Sequence, residues 1–389
     1  MSEPIPQTKP ILSHAWWQPF RVPFGREFVA AHGTMAAREG IVLVMETDDG
    51  AVGLGEASPL PSYSGGSVAE TGEAIETLVH GLIGRPADAA WCCDVALPGV
   101  SAGSSAAARF AVETAGADLA ASAALMPLAV WMATWAGIDS PATTVPVNGT
   151  IDAGEPAAAA TEARALVARG FETLKLKVGT GIDADLARIA AVREAVGDEV
   201  ALRIDANGVW EPVEAMTILG RCQEFGIALC EQPISHLGPD ALRRLARVRS
   251  SSPIPIAADE SCRSVADLDS ILAARAADAI VVKPMASGLR EAVRMVARAR
   301  ERGVPVIVTT MFDAGVGTTA AMHLAALTGP SRLACGLATL DHLEHSLVQQ
   351  EPAMVRGTVS PGDEPGLNLK LDMAAVERYA TGPRREVSR

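Results

Sequence analysis

Five charged residues, Lys177, Asp205, Glu231, Asp259 and Lys283, stand at or just after the ends of short apolar runs, spaced 28, 26, 28 and 24 residues apart. Three carboxylates brought to one point repel one another unless a divalent cation sits between them, and an all-oxygen donor set favours Mg²⁺. Two lysines flanking such an ion make a proton-transfer site. Lys175 lies two residues before Lys177 on the same run, so the two side chains point the same way. Clustered ammonium groups in a partly dry site lower the pKa of at least one of them, as a lysine base requires. Taken singly, each residue has an ordinary explanation: a strand lysine reaches solvent at a rim, and an acid at a strand end caps a loop. Five in succession, in the order Lys, Asp, Glu, Asp, Lys, demand a scaffold that gathers consecutive strand ends.

A barrel of eight strand and helix units uses roughly 30 residues per unit and builds its site at the C-terminal ends of the strands. From about residue 143, short runs alternate with amphipathic helical stretches as that scaffold requires. The runs are Thr144–Val147, Thr173–Lys177, Ala201–Asp205, Ala228–Glu231, Ile256–Asp259, Ala279–Lys283, Val306–Thr309 and, less regular, Leu333–Cys335. Before them, Ile41–Met45 and Val52–Glu56 read as a hairpin about Asp48-Asp49-Gly50, and residues 68–83 and 104–122 read as helices. The expected division is an α+β unit over residues 1–142, a barrel over 143–350, and a segment over 351–389 that returns to the first unit through the Pro361–Gly366 stretch.

A chain of 389 residues exceeds what one core usually organises, which fits a barrel with a smaller companion. The formal net charge of −13 argues against nucleic acid or an anionic membrane as partner, since both require a cationic face. The stretch Leu119–Ile138 carries no charge over 20 residues. Its alanines, Gly137 and Pro127 predict a buried helix broken at the proline instead of a membrane span. Six cysteines, Cys92, Cys93, Cys222, Cys230, Cys262 and Cys335, follow no paired ligand motif and read as buried reduced thiols. The opening Met1-Ser2-Glu3-Pro4 has no secretory pattern, so a cytoplasmic location is expected. His14, His236 and His342 read as solvated surface residues. A homo-oligomer is compatible with the sequence but not specified by it.

Lys175-Leu176-Lys177, Asp205-Ala206-Asn207, Glu231-Gln232-Pro233, Asp259-Glu260-Ser261 and Lys283-Pro284 together resemble the enolase superfamily, in its muconate lactonizing enzyme subgroup. The resemblance implies an α+β N-terminal capping domain and a modified (β/α)₇β TIM-type barrel. It implies Mg²⁺, with Mn²⁺ as a substitute, held by Asp205, Glu231 and Asp259, and Lys177 and Lys283 on opposite faces of a small carboxylate substrate. Asn207 and Glu260 then support the ligands from behind. The shared first step is removal of a proton α to a carboxylate, a chemistry for which lysine bases with Mg²⁺ are the general pattern in this superfamily. Thr309-Thr310-Met311 lacks the histidine of the mandelate racemase branch.

Within the subgroup, Arg38-Glu39-Gly40 and the stretch Gly53–Ser64 are most similar to the o-succinylbenzoate synthase family, although turn chemistry alone also explains those glycines and prolines. That likeness implies a syn dehydration, with Tyr63, Gly288, Thr310 and Met311 near the substrate and loops around Phe24–His32 and Pro59–Tyr63 closing the mouth. Two departures bear on the substrate: a single glycine, Gly288, follows Lys283-Pro284, and Asp313 stands where glutamate is common. N-succinylamino acid racemase and muconate cycloisomerase activities need the same five residues and stay open, as does a barrel that binds metal without catalysis. Leu340-Asp341-His342 supplies no Asp-x-Asp pair, which disfavours a dipeptide epimerase.

Overall fold

The computed structural model describes residues 9–30, 33–92, 94–329 and 333–389. At the expected hairpin, Gly50 takes φ 86, a left-handed conformation that glycine adopts without strain. It joins Gly33–Thr47 to Val52–Ala57 in antiparallel register, Val44 opposite Leu54. A strand the sequence did not announce, Leu12–Ala30, pairs along almost all of Gly33–Thr47. Pro19 and Pro23 interrupt its alternation, which hides it from a periodicity argument. Arg385–Ser388 adds a fourth strand against His14–Trp17, so the end of the described chain lies on this sheet.

The sheet rests on the helix Ala102–Ala123. A Cβ at Gly53 or Gly55 would stand 2.2 Å from the carbonyl oxygen of Ala115 or Ala111, so only glycine lets strand and helix approach this closely. The charge-free stretch divides as its proline predicted: this helix ends at Ala123, Leu125 turns with φ 52, and Leu128–Ala136 begins after Pro127. Among the described residues no helix is long and apolar enough to cross a membrane. Cys222, Cys230, Cys262 and Cys335 are buried free thiols, but Cys92 is exposed, against expectation. Cys93 lies outside the described residues.

Seven parallel strands form one sheet in chain order: Gly149–Ile151, Thr173–Lys177, Ala201–Asp205, Ile227–Glu231, Ile256–Ala258, Ala279–Val282 and Val306–Val308. Among the described residues the run Leu333–Cys335, extended by Gly336, completes the ring through single parallel bridges, Val147 with Cys335 and Thr309 with Gly336. One expectation needs correction. Val145–Pro146, read as the first barrel strand, pairs antiparallel with Thr358–Val359 in a separate small sheet. Of the expected run only Val147 joins the ring, through its bridge to Cys335, and the first strand of the seven-stranded sheet starts at Gly149, whose missing side chain makes room for Leu166 and breaks the apolar pattern.

The two-residue strand period sets which side chains face inward. Leu229, Ala257, Val281 and Ile307 form an apolar floor inside the barrel, apart from the main core. Their neighbours Cys230, Ala258, Val282 and Val308 belong to the outer core beneath the helices. Two residues beyond each floor residue come Glu231, Asp259, Lys283 and Thr309. The charged residues therefore form the next inward layer, toward the C-terminal mouth.

Candidate active site

Register aligns Lys177 with Asp205 and Asp205 with Glu231 on adjacent strands. Asp205, Glu231 and Asp259 are only 1%, 3% and 1% exposed. The Lys175 Nζ lies 3.0 Å from Asp205 Oδ2 and 3.2 Å from Glu231 Oε1. The Lys177 Nζ lies 3.2 Å from the same Asp205 oxygen and 2.7 Å from Asn207 Oδ1. Asn207, held with φ 44, in turn donates to Glu260 Oε1 at 3.2 Å. Lys283 Nζ meets Asp259 Oδ2 at 2.5 Å. The strands bearing Lys177 and Lys283 are four apart in the ring, which sets the two lysines across the mouth from each other.

Four acids, Asp205, Glu231, Asp259 and Glu260, thus face three lysines. Burial opposes the charge of Asp205, yet Lys175 and Lys177 hold its carboxyl below the usual range. Burial and then Asp205 push Glu231 up to about 8, and burial and then Asp259 push Glu260 up to about 7. The crowding of Lys175 with Lys177 was expected to lower the pKa of at least one of that pair. At Lys175 and Lys283 the reverse holds, because burial pulls each down but the surrounding carboxylates outweigh it and raise both.

The donor set is that of a site for a hard cation: buried carboxylates on successive strand ends, with acid in excess of base. Among the described residues, no three acidic, histidine or cysteine side chains already converge tightly enough to ligate one ion. The ammonium groups of Lys175 and Lys283 lie against the carboxylate oxygens instead. An ion held by these carboxylates would take the place that those ammonium groups now occupy.

Above this layer lies a cavity with walls from the N-terminal unit and from the barrel. Leu60, Ser62 and Tyr63 line it from the N-terminal sheet unit, and Thr310, Met311 and Phe312 from the end of the seventh strand. Tyr63, Thr310 and Met311, expected near the substrate, line this cavity. Gly288 does not. With φ 87 it begins the helix Leu289–Glu301 and packs against Glu113 and Arg109 of the long helix, away from the cavity. The turn after Lys283-Pro284 directs the chain out of the barrel mouth there.

Other wall residues escaped the sequence reading. Asn148, Thr150 and Thr339 contribute polar groups, and His342, read as a surface histidine, lines the cavity with its ring 5.5 Å from that of Phe312. Phe24 meets Phe312 edge to face at 5.6 Å. Of the expected loop around Phe24–His32, Phe28–Ala30 form a strand pair with Gly33–Met35 beyond a register irregularity that follows Pro23; residues 31–32 lie outside the described residues. No local period marks such residues, because the turn geometry of two separate chain segments brings them together.

The family model described as Enolase C-terminal domain-like matches residues 158–375, and that described as MenC, N-terminal domain matches residues 14–111. A hydrophobic dipeptide epimerase of Enterococcus faecalis is 33% identical over 309 residues, covering 79% of this chain and 84% of its own. An o-succinylbenzoate synthase of Thermobifida fusca is 38% identical over 216 residues, covering 54% of this chain and 64% of its own. The solved structure of the dipeptide epimerase from Enterococcus faecalis V583, complexed with Mg and the dipeptide L-Leu-L-Tyr, superposes with a TM-score of 0.83. It is 29% identical and covers 93% of this chain and 100% of that one. The barrel closed by an eighth run, the ordered ring of lysines and acids, and a family match over more than half of the residues agree: this chain belongs to the enolase superfamily, in its muconate lactonizing subgroup.

Proposed function

We propose that the protein is an Mg²⁺-dependent o-succinylbenzoate synthase, a lyase that dehydrates 2-succinyl-6-hydroxy-2,4-cyclohexadiene-1-carboxylate in menaquinone biosynthesis. In this reading Asp205, Glu231 and Asp259 hold the ion, Mg²⁺ or Mn²⁺, which when bound supplies a Lewis acid for the substrate carboxylate. Lys177, as the amine, takes the proton α to that carboxylate. The ammonium so formed returns the proton to the departing hydroxyl on the same face, and water leaves. Lys283 stays cationic across the ring and stabilises the charge that develops there. Asn207 orients Lys177, and Lys175 balances the charge of Asp205 and Glu231.

The observation that carries this reading is the chemistry of the wall beyond the charged layer. Asn148, Thr150, Thr309, Thr310 and Thr339 line it with uncharged polar side chains, the Thr310 and Thr339 hydroxyls 2.7 Å apart, and a succinyl arm would exchange such contacts for its own. At the end of the eighth run the cavity is lined by Gly336, Ala338 and Thr339, while Asp341 is exposed and paired with Arg169. A dipeptide's ammonium finds no pair of acids on that wall among the described residues. The match of residues 14–111 to the MenC N-terminal domain supports the same choice.

A second reading, racemisation of an N-succinylamino acid or epimerisation of a dipeptide, is favoured by the longer similarity to an epimerase and by lysines on both faces. The test is to incubate the protein and Mg²⁺ with the cyclohexadiene, following loss of diene absorbance. N-succinylamino acids and dipeptides are followed in parallel by polarimetry and deuterium exchange. Efficient dehydration with poor racemisation is the expected result; the reverse assigns the second reading. Lys177→Ala should lower the rate by at least about 10²-fold; unchanged rates in that variant would remove Lys177 from the proton transfer, and a barrel without catalysis predicts no turnover of any of these substrates by the wild type.

A further inference from the structure

Behind the seventh-strand wall, the N-terminal sheet sends two charged side chains into the barrel. Arg38 and Glu56 are 2% and 0% exposed. The Arg38 guanidinium donates through Nε to the carbonyl of Met311 at 3.1 Å, through Nη1 to that of Pro59 at 2.7 Å, and through Nη2 to that of Ser58. One planar group thus holds the backbones that carry both walls of the cavity: Met311 and Phe312 on one side, and Leu60 to Tyr63 beyond Pro59 on the other.

Glu56 completes the hold. Its Oε1 accepts from Ala314 N at 2.7 Å and its Oε2 from Gly317 N at 2.8 Å, with Ser58 Oγ also donating to Oε1 at 2.7 Å. The carboxylate therefore caps the helix Gly315–Ala325 from a distant strand, where the free amides and the helix dipole favour an anion. A side chain at Gly317 would stand 3.2 Å from the Glu56 carboxyl and 2.8 Å from Asp313 Cβ, so the glycine admits the carboxylate.

Between these two anchors lies Phe312, a large residue with φ 61. Backbone of this kind is strained in a non-glycine residue and persists only where its surroundings over-determine it. Arg38 fixes the carbonyl one residue before it, and Glu56 fixes the amide two residues after it. Phe312 itself lines the cavity.

We propose that Arg38 and Glu56 are positioning residues for substrate specificity: from the N-terminal sheet they hold Phe312 in its left-handed conformation and so set the shape of the wall that meets the substrate's distal arm. Neither side chain lines the cavity, and neither takes part in the proton transfer. The inference rests on the reading of this cavity as the active site, but not on which substrate it takes.

The test uses Glu56→Gln, which keeps shape but cannot accept from both amides, with Arg38→Lys and Arg38→Met. Two readouts are followed: kinetics on whichever substrate the wild type turns over, and the fluorine spectrum of protein labelled with fluorophenylalanine, the Phe312 resonance being assigned by Phe312→Leu. Expected are a shifted or broadened Phe312 resonance and a KM raised about 10-fold with kcat within about 3-fold, Arg38→Lys lying nearer to wild type than Arg38→Met. Should Arg38→Met fail to fold, Glu56→Gln and Arg38→Lys carry the comparison. Folded Glu56→Gln with an unmoved Phe312 resonance overturns the proposal, as does a fall in kcat with KM unchanged. If the wild type turns over none of the substrates offered, the substrate reading fails, yet the fluorine arm still decides the clasp.

Discussion

The hydroxyl of Tyr63 donates to Asp259 Oδ1 at 2.8 Å, although the two residues lie 196 positions apart. The same ring carries the Lys283 ammonium 3.9 Å from its centroid and the Arg263 guanidinium at 4.9 Å. Arg263 also donates to the Tyr63 carbonyl at 2.9 Å. Tyr63 is thus the point at which the N-terminal unit touches both an acid and a lysine of the charged layer, and cation–π attraction adds to the hydrogen bond. Expected to face substrate, it is equally a support for the barrel's own groups.

Removing only the hydroxyl isolates that support. Tyr63→Phe keeps the ring over Lys283 and deletes the hydrogen bond to Asp259. Groups that orient a metal ligand typically contribute 10-fold or more to affinity, so Mg²⁺ or Mn²⁺ binding should weaken by about 10-fold, measured by calorimetric titration with no substrate present. Unchanged affinity would mean that Asp259 needs no such partner.

Asn207 holds Lys177 at 2.7 Å and is itself held by Glu260. Asn207→Leu removes the acceptor without adding charge and leaves the Lys177 amine free to swing. The expected result is a kcat reduced by roughly 10-fold with KM little changed, since misorientation of a base costs rate before it costs binding. A rise in KM alone would assign Asn207 to substrate contact.

Asp313 is fully buried, and among the described residues neither carboxylate oxygen finds a hydrogen-bond partner. Burial, and then Glu56, push its carboxyl up from 3.8 to about 7. An acid whose pKa rises on folding binds its proton more tightly in the folded state. Its contribution therefore favours folding below about pH 4 and is lost as pH rises from there through 7. Asp313→Asn holds the neutral form at every pH. Its melting temperature should gain on that of the wild type between pH 5 and pH 8, by an amount corresponding to a few kcal/mol at most. A difference independent of pH would show that Asp313 ionises as readily folded as unfolded.

Gly55→Ala tests the contact between sheet and helix. The added Cβ would stand 2.2 Å from the Ala111 carbonyl oxygen, on a helix buried along most of its length. Overpacking of this kind costs about 1–3 kcal/mol and more where backbone must move, so thermal denaturation should show a clear loss of stability. The same change at Gly50, where an added Cβ would meet none of the described residues within 4 Å, makes no such clash and should cost only the strain of its positive φ.

The sequence by itself determined the charged layer. A strand alternates its side chains with period two, and strand–helix units recur at nearly constant length, so spacing alone told which residues face inward and that Lys177, Asp205, Glu231, Asp259 and Lys283 stand at neighbouring strand ends. The break at Pro127 and the turn at Gly50 were legible for the same reason: each follows from local chemistry. The tertiary structure decided the rest. Leu12–Ala30 hides behind its prolines, Gly149–Ile151 behind its glycine, and Gly288 turns away from the mouth that its neighbour Lys283 faces. Arg38 with Met311, Glu56 with Ala314, and Tyr63 with Asp259 join residues more than 190 positions apart. No local period records such pairs, because they depend on how one packed unit seats on another.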